Sequence, residues 1–370
     1  MNILYLTNHL NTGGITSYVL TLSIGLKKKG HNVYIASSGG ELLGKFLSEG
    51  ISFIPIPIKT KSEIHPKIWL SFMMLKGLIR KKDINIIHAN TRVTQVLAHL
   101  LSDSSGRPYI STCHGFFKRR FFRLVFPCWG KKTIAISAQV KEHLMRDFNV
   151  PQENIEVIHN GIDVEKFARL SHQSSAVRFQ IKKDLGLGEG PVVGIIARLS
   201  EVKGHTYLIQ AMRIVREQVP DAQLLIGGEG KLEKELRAQA SDLGLEKNIF
   251  FFPNTTDTRK LLSAMDVFVL PSLHEGLGLA LMEAMAAAVA VVGSDIGGIK
   301  SLIQHRHSGL LAAPGDVGAL AGAIVELLKD PQKRKLFAES ARDLIARDFS
   351  QEEMVFKTEE AYLTCLNEKG

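Results

Sequence analysis

Cysteine is scarce: 3 in 370 residues, at Cys113, Cys128 and Cys365. They lie far apart, without a Cys-x-x-Cys spacing or a histidine cluster beside them. A disulfide scaffold and a structural zinc site are thereby excluded, and a reducing, cytoplasmic setting fits. The chain also lacks an Asp-x-Asp pair that would bridge a metal to a diphosphate, so no metal and no cofactor is expected. The opening MNILYLTNHL lacks a basic n-region and a cleavage site and reads as a buried first strand, not a signal peptide. There is no internal repeat at solenoid periods and no low-complexity segment. One almost wholly apolar window, Gly276 to Gly293, is interrupted by Glu283 and several glycines. Its periodicity changes halfway, which predicts a helix followed by a buried strand and not a membrane span.

What is present is an ordinary soluble composition, 45% hydrophobic and 22% charged. The length predicts two α/β domains. The charge is uneven. Residues 1–168 carry 22 Lys and Arg against 11 Asp and Glu, and residues 169–370 carry 24 against 26. A basic first half suits an anionic partner: a membrane surface, an acidic glycan or nucleic acid. A merely soluble basic surface is the alternative.

Short apolar runs alternate with helical patterns throughout, the mark of βαβ units and a parallel sheet. In the first half the strands are expected at 2–6, 32–37, 52–56, 84–88, 109–113, 133–136 and 155–158. The clearest helix is expected over Ser17–Lys28, stopping at Gly30. The pattern weakens from about Glu165 to Gly190, where an interdomain linker is expected. A second series follows at 192–196, 223–226, 249–252, 267–270, 289–292 and 309–311. The tail from about Pro331 is helical, with a break at Phe349-Ser350.

Four motifs stand at strand ends. Gly13-Gly14 follows the first strand; such a turn either offers backbone amides to phosphate or is simply tight. It is not the three-glycine dinucleotide fingerprint, and Ser37 and Ser38 stand where a ribose-binding acid would be. After the strand at 192–196 come Arg198 and Lys203. Leaving the carboxyl end of a strand, Arg198 can fork onto phosphate oxygens and Lys203 act as a point charge to neutralise a diphosphate, or both can be surface cations. The third motif runs from Pro271 to Met285 and contains Glu275, Gly276, Leu277, Gly278 and Glu283. At helical rise the two glutamates would be on the order of 12 Å apart. That is wider than the ~5–9.5 Å of paired hydrolytic carboxylates, so they would touch two ends of an extended ligand. Glu283 in an apolar helix needs a partner, either a ribose diol or an internal hydrogen bond. The fourth motif, Gly297-Gly298, reads more simply as a turn.

In this order, Gly13-Gly14, Asn160-Gly161-Ile162-Asp163, Arg198/Lys203, Glu275/Glu283 and Gly297-Gly298 resemble the retaining GT-B glycosyltransferases (glycosyl transferases group 1, with a Glu-x7-Glu motif). The resemblance covers nearly the whole chain. It implies an α/β GT-B fold: two Rossmann-like domains facing across a cleft, residues 1–168 on the acceptor side and 169–350 binding the donor. A helix at about 351–370 would pack back on the first domain. Arg198 and Lys203 would hold the leaving diphosphate. Glu275, with Gly276, Leu277 and Gly278, would contact the donor sugar, and Glu283 the ribose. Gly13 and Gly14 would cover the phosphates, and His114, in Cys113-His114-Gly115, would approach the sugar. The activity implied is metal-independent, retaining transfer of a hexosyl group. The donor would be a nucleotide-diphosphate sugar, foremost a UDP-sugar, and the acceptor a hydroxyl of a glycan or lipid-linked precursor. Cell-surface polysaccharide, such as lipopolysaccharide, would be the product. Alternatives are a non-catalytic nucleotide-sugar-binding partner or another GT-B enzyme such as an epimerase. The chain departs from the family where Ala288 and Ala290 stand for Gly and Pro, Ser301 for an acidic residue and Pro253 for Gly.

Residues 116–132 hold six cations, six aromatics and no acid. That mixture fits peripheral attachment to an anionic membrane, at the inner face of the cytoplasmic membrane. Lys59 to Lys82 is also basic, with Trp69 and Phe72. No nucleic-acid motif accompanies either stretch, and nucleic acid is not expected as a partner. A helix packing Phe inward and Lys outward is the alternative.

Overall fold

The computed structural model describes residues 1–168, 170, 174–253, 255 and 257–367. Two compact units emerge: Met1–Gly161 joined by the C-terminal helix Gln351–Asn367, and Ile162–Ser350.

The first unit is built on a parallel sheet of seven strands. These are β1 (Asn2–Leu6), β2 (Asn32–Ser37), β3 (Ser52–Pro55), β4 (Ile86–Ala89), β5 (Tyr109–Cys113), β6 (Lys132–Ala135) and β7 (Ile155–Val157). Their order is β3-β2-β1-β4-β5-β6-β7. The period of two in β1 divides its side chains between two cores. Ile3 and Tyr5 pack under the helices Gly14–Lys28 and Gln351–Asn367, while Leu4 and Leu6 pack under Pro66–Lys81 and Arg92–Ser105. The C-terminal helix is seated closely because Gly25 has no side chain. A Cβ there would meet the Val355 side chain at 2.3 Å.

The same helix is locked by a buried hydrogen-bond chain. The Tyr362 hydroxyl lies 2.7 Å from that of Tyr5 and 2.6 Å from His88 Nδ1. His88 Nε2 lies 2.6 Å from Thr112 Oγ1, which is 3.2 Å from the Tyr18 hydroxyl. Burial pushes the His88 imidazole down to about 3, so it is neutral in this chain.

The second unit repeats the plan with β8 (Val192–Ile196), β9 (Gln223–Gly227), β10 (Ile249–Phe252), β11 (Val267–Leu270), β12 (Ala290–Ser294) and β13 (Leu310–Ala312). The order is β10-β9-β8-β11-β12-β13, all parallel. In both sheets the chain starts in the middle, runs outward to one edge, then returns to fill the other side. That places a topological switch point between β1 and β4, and another between β8 and β11.

Two local expectations are corrected. The first helix begins at Gly14, three residues before the periodic apolar pattern, with Gly13 as its uncapped N-terminal neighbour. The segment 165–190 is not a bare linker. Val164–Ala168 is helical and packs on the helix Leu279–Ala286 of the second unit. Ser175–Asp184 is a helix capped by the Ser174 hydroxyl. Arg169 and 171–173, where the boundary is expected, lie outside the described residues.

Ala288 explains one family departure physically. The helix Leu279–Ala286 ends with Ala288 N donating to Met285 O and Val289 N donating to Ala284 O, the paired bonds of a Schellman motif. Ala288 therefore sits at φ 54, the left-handed position that glycine fills without a Cβ penalty. Ala288→Gly is expected to raise unfolding free energy by about 1 kcal/mol. An unchanged or lower urea midpoint would contradict this.

Candidate functional site

In the second unit, the loops after β8 and β11 meet at the switch point. The first carries Arg198 and Lys203. Gly204 holds φ 71, and a Cβ there would lie 2.0 Å from Pro271 O, so only glycine lets the two loops close this tightly. Leu273 N donates to Val202 O across the same junction. The result is a direct contact between two sequence-separated candidates: Lys203 Nζ donates to Glu275 Oε2 at 2.5 Å, both largely withdrawn from solvent. Buried Ser272 supports the same carboxylate oxygen at 3.4 Å. Arg198 is exposed, with no side-chain hydrogen bond or ion pair among the described residues. One paired and one unpaired cation thus stand at a strand-end crevice, a net positive site suited to a diphosphate.

Residues Glu275 to Gly278 are loop, and the helix begins only at Leu279, with Gly278 before it at φ 95. The helical-rise estimate of the glutamate separation does not apply, because four of the intervening steps are not helical. The two carboxylates engage different neighbours. Glu283 Oε2 accepts from Thr258 Oγ1 at 2.7 Å, beside the helix Arg259–Ala264 that follows β10. Leu281, Met282, Ala284 and Met285 around Glu283 are buried. Gly297-Gly298 proves to be a packing device. Gly298 N donates to Glu275 O at 3.3 Å, and a Cβ on Gly298 would lie 2.0 Å from Gly276 O. Pro253 precedes residues 254 and 256, which lie outside the described residues.

His205, directly after Gly204, is buried with neither ring nitrogen hydrogen-bonded among the described residues. Burial, and then the Lys203 charge, hold it down at about 4, so it stays neutral beside the lysine.

The first unit gathers its candidates at its own switch point. Gly13 and Gly14 follow β1, and Thr12 is held by Glu41 Oε2 through its backbone N at 3.2 Å and its hydroxyl at 2.9 Å. His114 follows β5. Its Nε2 lies 3.2 Å from Asn90 Oδ1, just past β4, and its ring meets the edge of Tyr18 at 4.8 Å. Burial pushes His114 down to about 3. It is a neutral imidazole: with Asn90 Oδ1 accepting from Nε2, Nδ1 is left as an acceptor. Asn90, Tyr18 and Thr258 escaped the sequence reading because no spacing connects them to the motifs; only the sheet order does.

The basic-aromatic segment 116–132 divides. Arg123 and Trp129 are buried, Arg123 stacking on Phe117 at 4.1 Å, so neither faces solvent. Lys118, Arg119, Arg120, Phe121, Phe122 and Val125 are exposed, Phe121 at 79%. In the second basic stretch Phe72 is core, but Trp69 is 60% exposed. Leu70, Met73 and Met74 extend that exposed stripe along Pro66–Lys81. Arg92 ties the two regions together. It pairs with Glu63 at 2.8 Å and donates to the carbonyls of Phe126 and Pro127. Among the described residues no helix is long and apolar enough to cross a membrane.

Two parallel doubly wound units, with cations and glutamates at a switch point, define a sugar-transferring class of GT-B architecture. Residues 177–344 match the family model described as Glycosyl transferases group 1, and residues 12–166 match Glycosyltransferase Family 4; the chain belongs to this glycosyltransferase family. It is 27% identical over 344 residues to an Escherichia coli enzyme, the UDP-Gal:alpha-D-GlcNAc-diphosphoundecaprenol alpha-1,3-galactosyltransferase. That alignment covers 88% of this chain and 87% of the relative. A glycosyltransferase structure from Rickettsia africae superposes with a TM-score of 0.89 at 22% identity, covering 100% of this chain and 99% of that one. Anabaena HepE in complex with UDP and glucose gives 0.85 at 22% identity, covering 98% and 99%.

Proposed function

We propose that the chain is a retaining, metal-independent hexosyltransferase that moves a sugar from a UDP-sugar to a hydroxyl of a glycan or lipid-linked acceptor in cell-surface polysaccharide synthesis. The observation that carries this reading is the Lys203–Glu275 contact at the β8/β11 switch point, with Arg198 unpaired beside it. As the C1–O bond to the leaving phosphate breaks, Arg198 and Lys203 stabilise the oxygen charge, the part a metal ion plays elsewhere. No protein nucleophile is invoked. The acceptor hydroxyl attacks C1 from the leaving-group face, and its proton passes to the departing phosphate oxygen, so the anomeric configuration is kept. Glu275, with Gly276, Leu277 and Gly278, holds the donor sugar while orienting Lys203. Glu283 exchanges its Thr258 bond for the ribose hydroxyls. Gly13, Gly14 and His114 serve the same donor from residues 1–161. The UDP-galactose donor and diphosphoundecaprenol-linked acceptor of the Escherichia coli relative, and the UDP and glucose bound in HepE, support these choices.

The test is a panel of labelled nucleotide sugars with and without EDTA, the product anomer being read by NMR. Slow hydrolysis of a UDP-sugar in EDTA, and an axial or equatorial linkage matching the donor, are expected. Loss of all turnover on chelation, restored only by magnesium or manganese, would refute metal independence; inversion at C1 would refute retention.

The reading includes peripheral attachment to the inner face of the cytoplasmic membrane through 116–132. Its support is that Lys118, Arg119 and Arg120 stand beside exposed Phe121, Phe122 and Val125. Each cation near an anionic surface contributes about 1 kcal/mol, weakened by salt. Replacing Lys118, Arg119 and Arg120 together with Ser is expected to weaken co-sedimentation with phosphatidylserine vesicles on the order of 100-fold at low salt. Calorimetric UDP affinity is expected to be unchanged. Wild-type protein that stays in the supernatant at low salt would rule the attachment out.

A further inference from the structure

At the amino-end edge of the second sheet, remote along the strands from Lys203, three cations share one carboxylate. Asp266, the residue before β11, is 9% exposed at its side chain. Its Oδ2 already accepts from Val192 N at 2.9 Å. Arg178 Nη2 lies 2.9 Å and Arg334 Nη2 3.7 Å from Oδ1, and Lys182 Nζ lies 4.0 Å from Oδ2. The other partners of these cationic side chains among the described residues are backbone carbonyls, among them Gly190 O for Lys182 and Ala264 O for Arg178. Carbonyls satisfy donors without cancelling charge. Arg178 Nε is buried with no hydrogen-bond partner among the described residues.

This concentration is local. The segment 162–350 as a whole is balanced, with 23 Lys and Arg against 23 Asp and Glu. Two recesses of about 480 and 610 Å³ adjoin the cluster, and both are lined by Arg178, Asp266, Pro331 and Arg334. Lys335 and Arg342 add charge at the rim of the smaller, against Glu339; Glu189 lines the larger. Burial above all holds the Lys182 ammonium below its usual range; Asp266 opposes it, and Arg178 and Arg334 add to the lowering. Three cations within reach of one carboxylate repel one another, and a multivalent anion relieves that repulsion.

We infer that Arg178, Lys182 and Arg334 form a second anion site, separate from the donor crevice, that takes a phosphorylated small molecule. The two guanidinium forks match phosphate oxygens, and Lys182 supplies a point charge. The recesses are larger than inorganic phosphate needs and leave room for a sugar or nucleoside attached to it. Ala288, Val289 and Ala290 line the smaller recess, so the site adjoins the end of the helix that carries Glu283.

The inference stands apart from the proposed transfer reaction, and the experiment keeps them apart. Inorganic pyrophosphate and glucose 6-phosphate are titrated into the full chain by calorimetry. Two pyrophosphate events are expected in wild type. One is lost in Lys203→Ala. The other survives that change but weakens roughly tenfold or more in Arg334→Gln, whose contacts are long enough to leave the fold intact. Asp266→Asn still accepts from Val192 N but no longer competes as a charge, and is expected to bind pyrophosphate more tightly. A merely structural ion network gives no such gain. Glucose 6-phosphate binding more tightly than pyrophosphate at this site assigns the recess to a phosphosugar, and the reverse to a bare diphosphate. A single event abolished by Lys203→Ala, or a second event indifferent to Arg334→Gln and Arg178→Gln, overturns the site. Failure to turn over any nucleotide sugar would sink the transfer reading and leave these outcomes standing.

Discussion

Lys203→Ala is expected to lower turnover at saturating donor by about 10²- to 10³-fold, the cost typical of removing one preorganised charge from a developing oxyanion. UDP affinity is expected to fall with it by about 10- to 100-fold. Two effects add. The leaving phosphate loses a cation, and Glu275, mostly withdrawn from solvent, loses the ammonium 2.5 Å away. Glu275→Gln removes the same ion pair from the other side. The double change is therefore expected to cost less than the sum of the two single changes, as partners in one contact do. Glu283→Ala is expected to weaken UDP binding by a similar 10- to 100-fold while sparing the sugar end. Each variant should unfold at its usual midpoint within about 1 kcal/mol, because Lys203 and Glu283 are only partly buried. Unchanged calorimetric UDP affinity in both Lys203→Ala and Glu283→Ala would remove the site assignment, whatever the chain transfers.

The parts of this site legible in sequence were those that a strand end imposes. A run such as Val192–Ile196, buried on both faces, must be β-branched and apolar, and the loop after it must turn. Polar residues immediately beyond stand out, as Arg198 and Lys203 do. Element positions followed for the same reason, most strand limits falling within a residue or two. What could not be read was anything set by the order of strands in the sheet. The lateral arrangement β10-β9-β8-β11-β12-β13 brings Thr258, after β10, to Glu283, on the helix after β11. No local pattern encodes that meeting. Burial of charged and aromatic residues is equally hidden: Arg123 is one of the six cations of 116–132, yet it is buried against the Phe117 ring. Gly298 reads as a turn residue, yet its lack of a side chain serves the Gly276 carbonyl across the site. At the β8/β11 switch point glycine is thus chosen by close approach, at Gly204 and Gly298, as much as by φ, whereas a Cβ on Gly13 would meet nothing within 4 Å.

Acidification is expected to destabilise the chain well above the usual carboxylate range, through buried imidazoles. His88 is held at about 3 and His205 at about 4, both by burial first. Both start from an ordinary value near 6.5. A lowered folded value means that the unfolded chain takes up protons that the folded chain refuses. Stability is therefore intact above about pH 6.5 and is lost as pH falls from there toward the folded values. Between pH 7.5 and 5.5 each group contributes about 1.4 kcal/mol of loss, roughly 3 kcal/mol together. His114, also held at about 3 by burial, adds about 1.4 kcal/mol in the same direction, roughly 4 kcal/mol for the three. The groups facing these imidazoles do not reverse the sign: His88 meets the hydroxyls of Tyr362 and Thr112 and lies near His114, and His205 lies near the Lys203 cation. His88 and His114 belong to the first unit and His205 to the second, so if the two melt separately the first transition should lose about 2.7 kcal/mol and the second about 1.4 kcal/mol. His205→Leu should abolish the second unit's share without touching the first, and it also removes two buried nitrogens that lack partners among the described residues. Urea unfolding at the two pH values decides it. A loss below about 1 kcal/mol in total would mean that these histidines gain protons in the folded chain as readily as in the unfolded one.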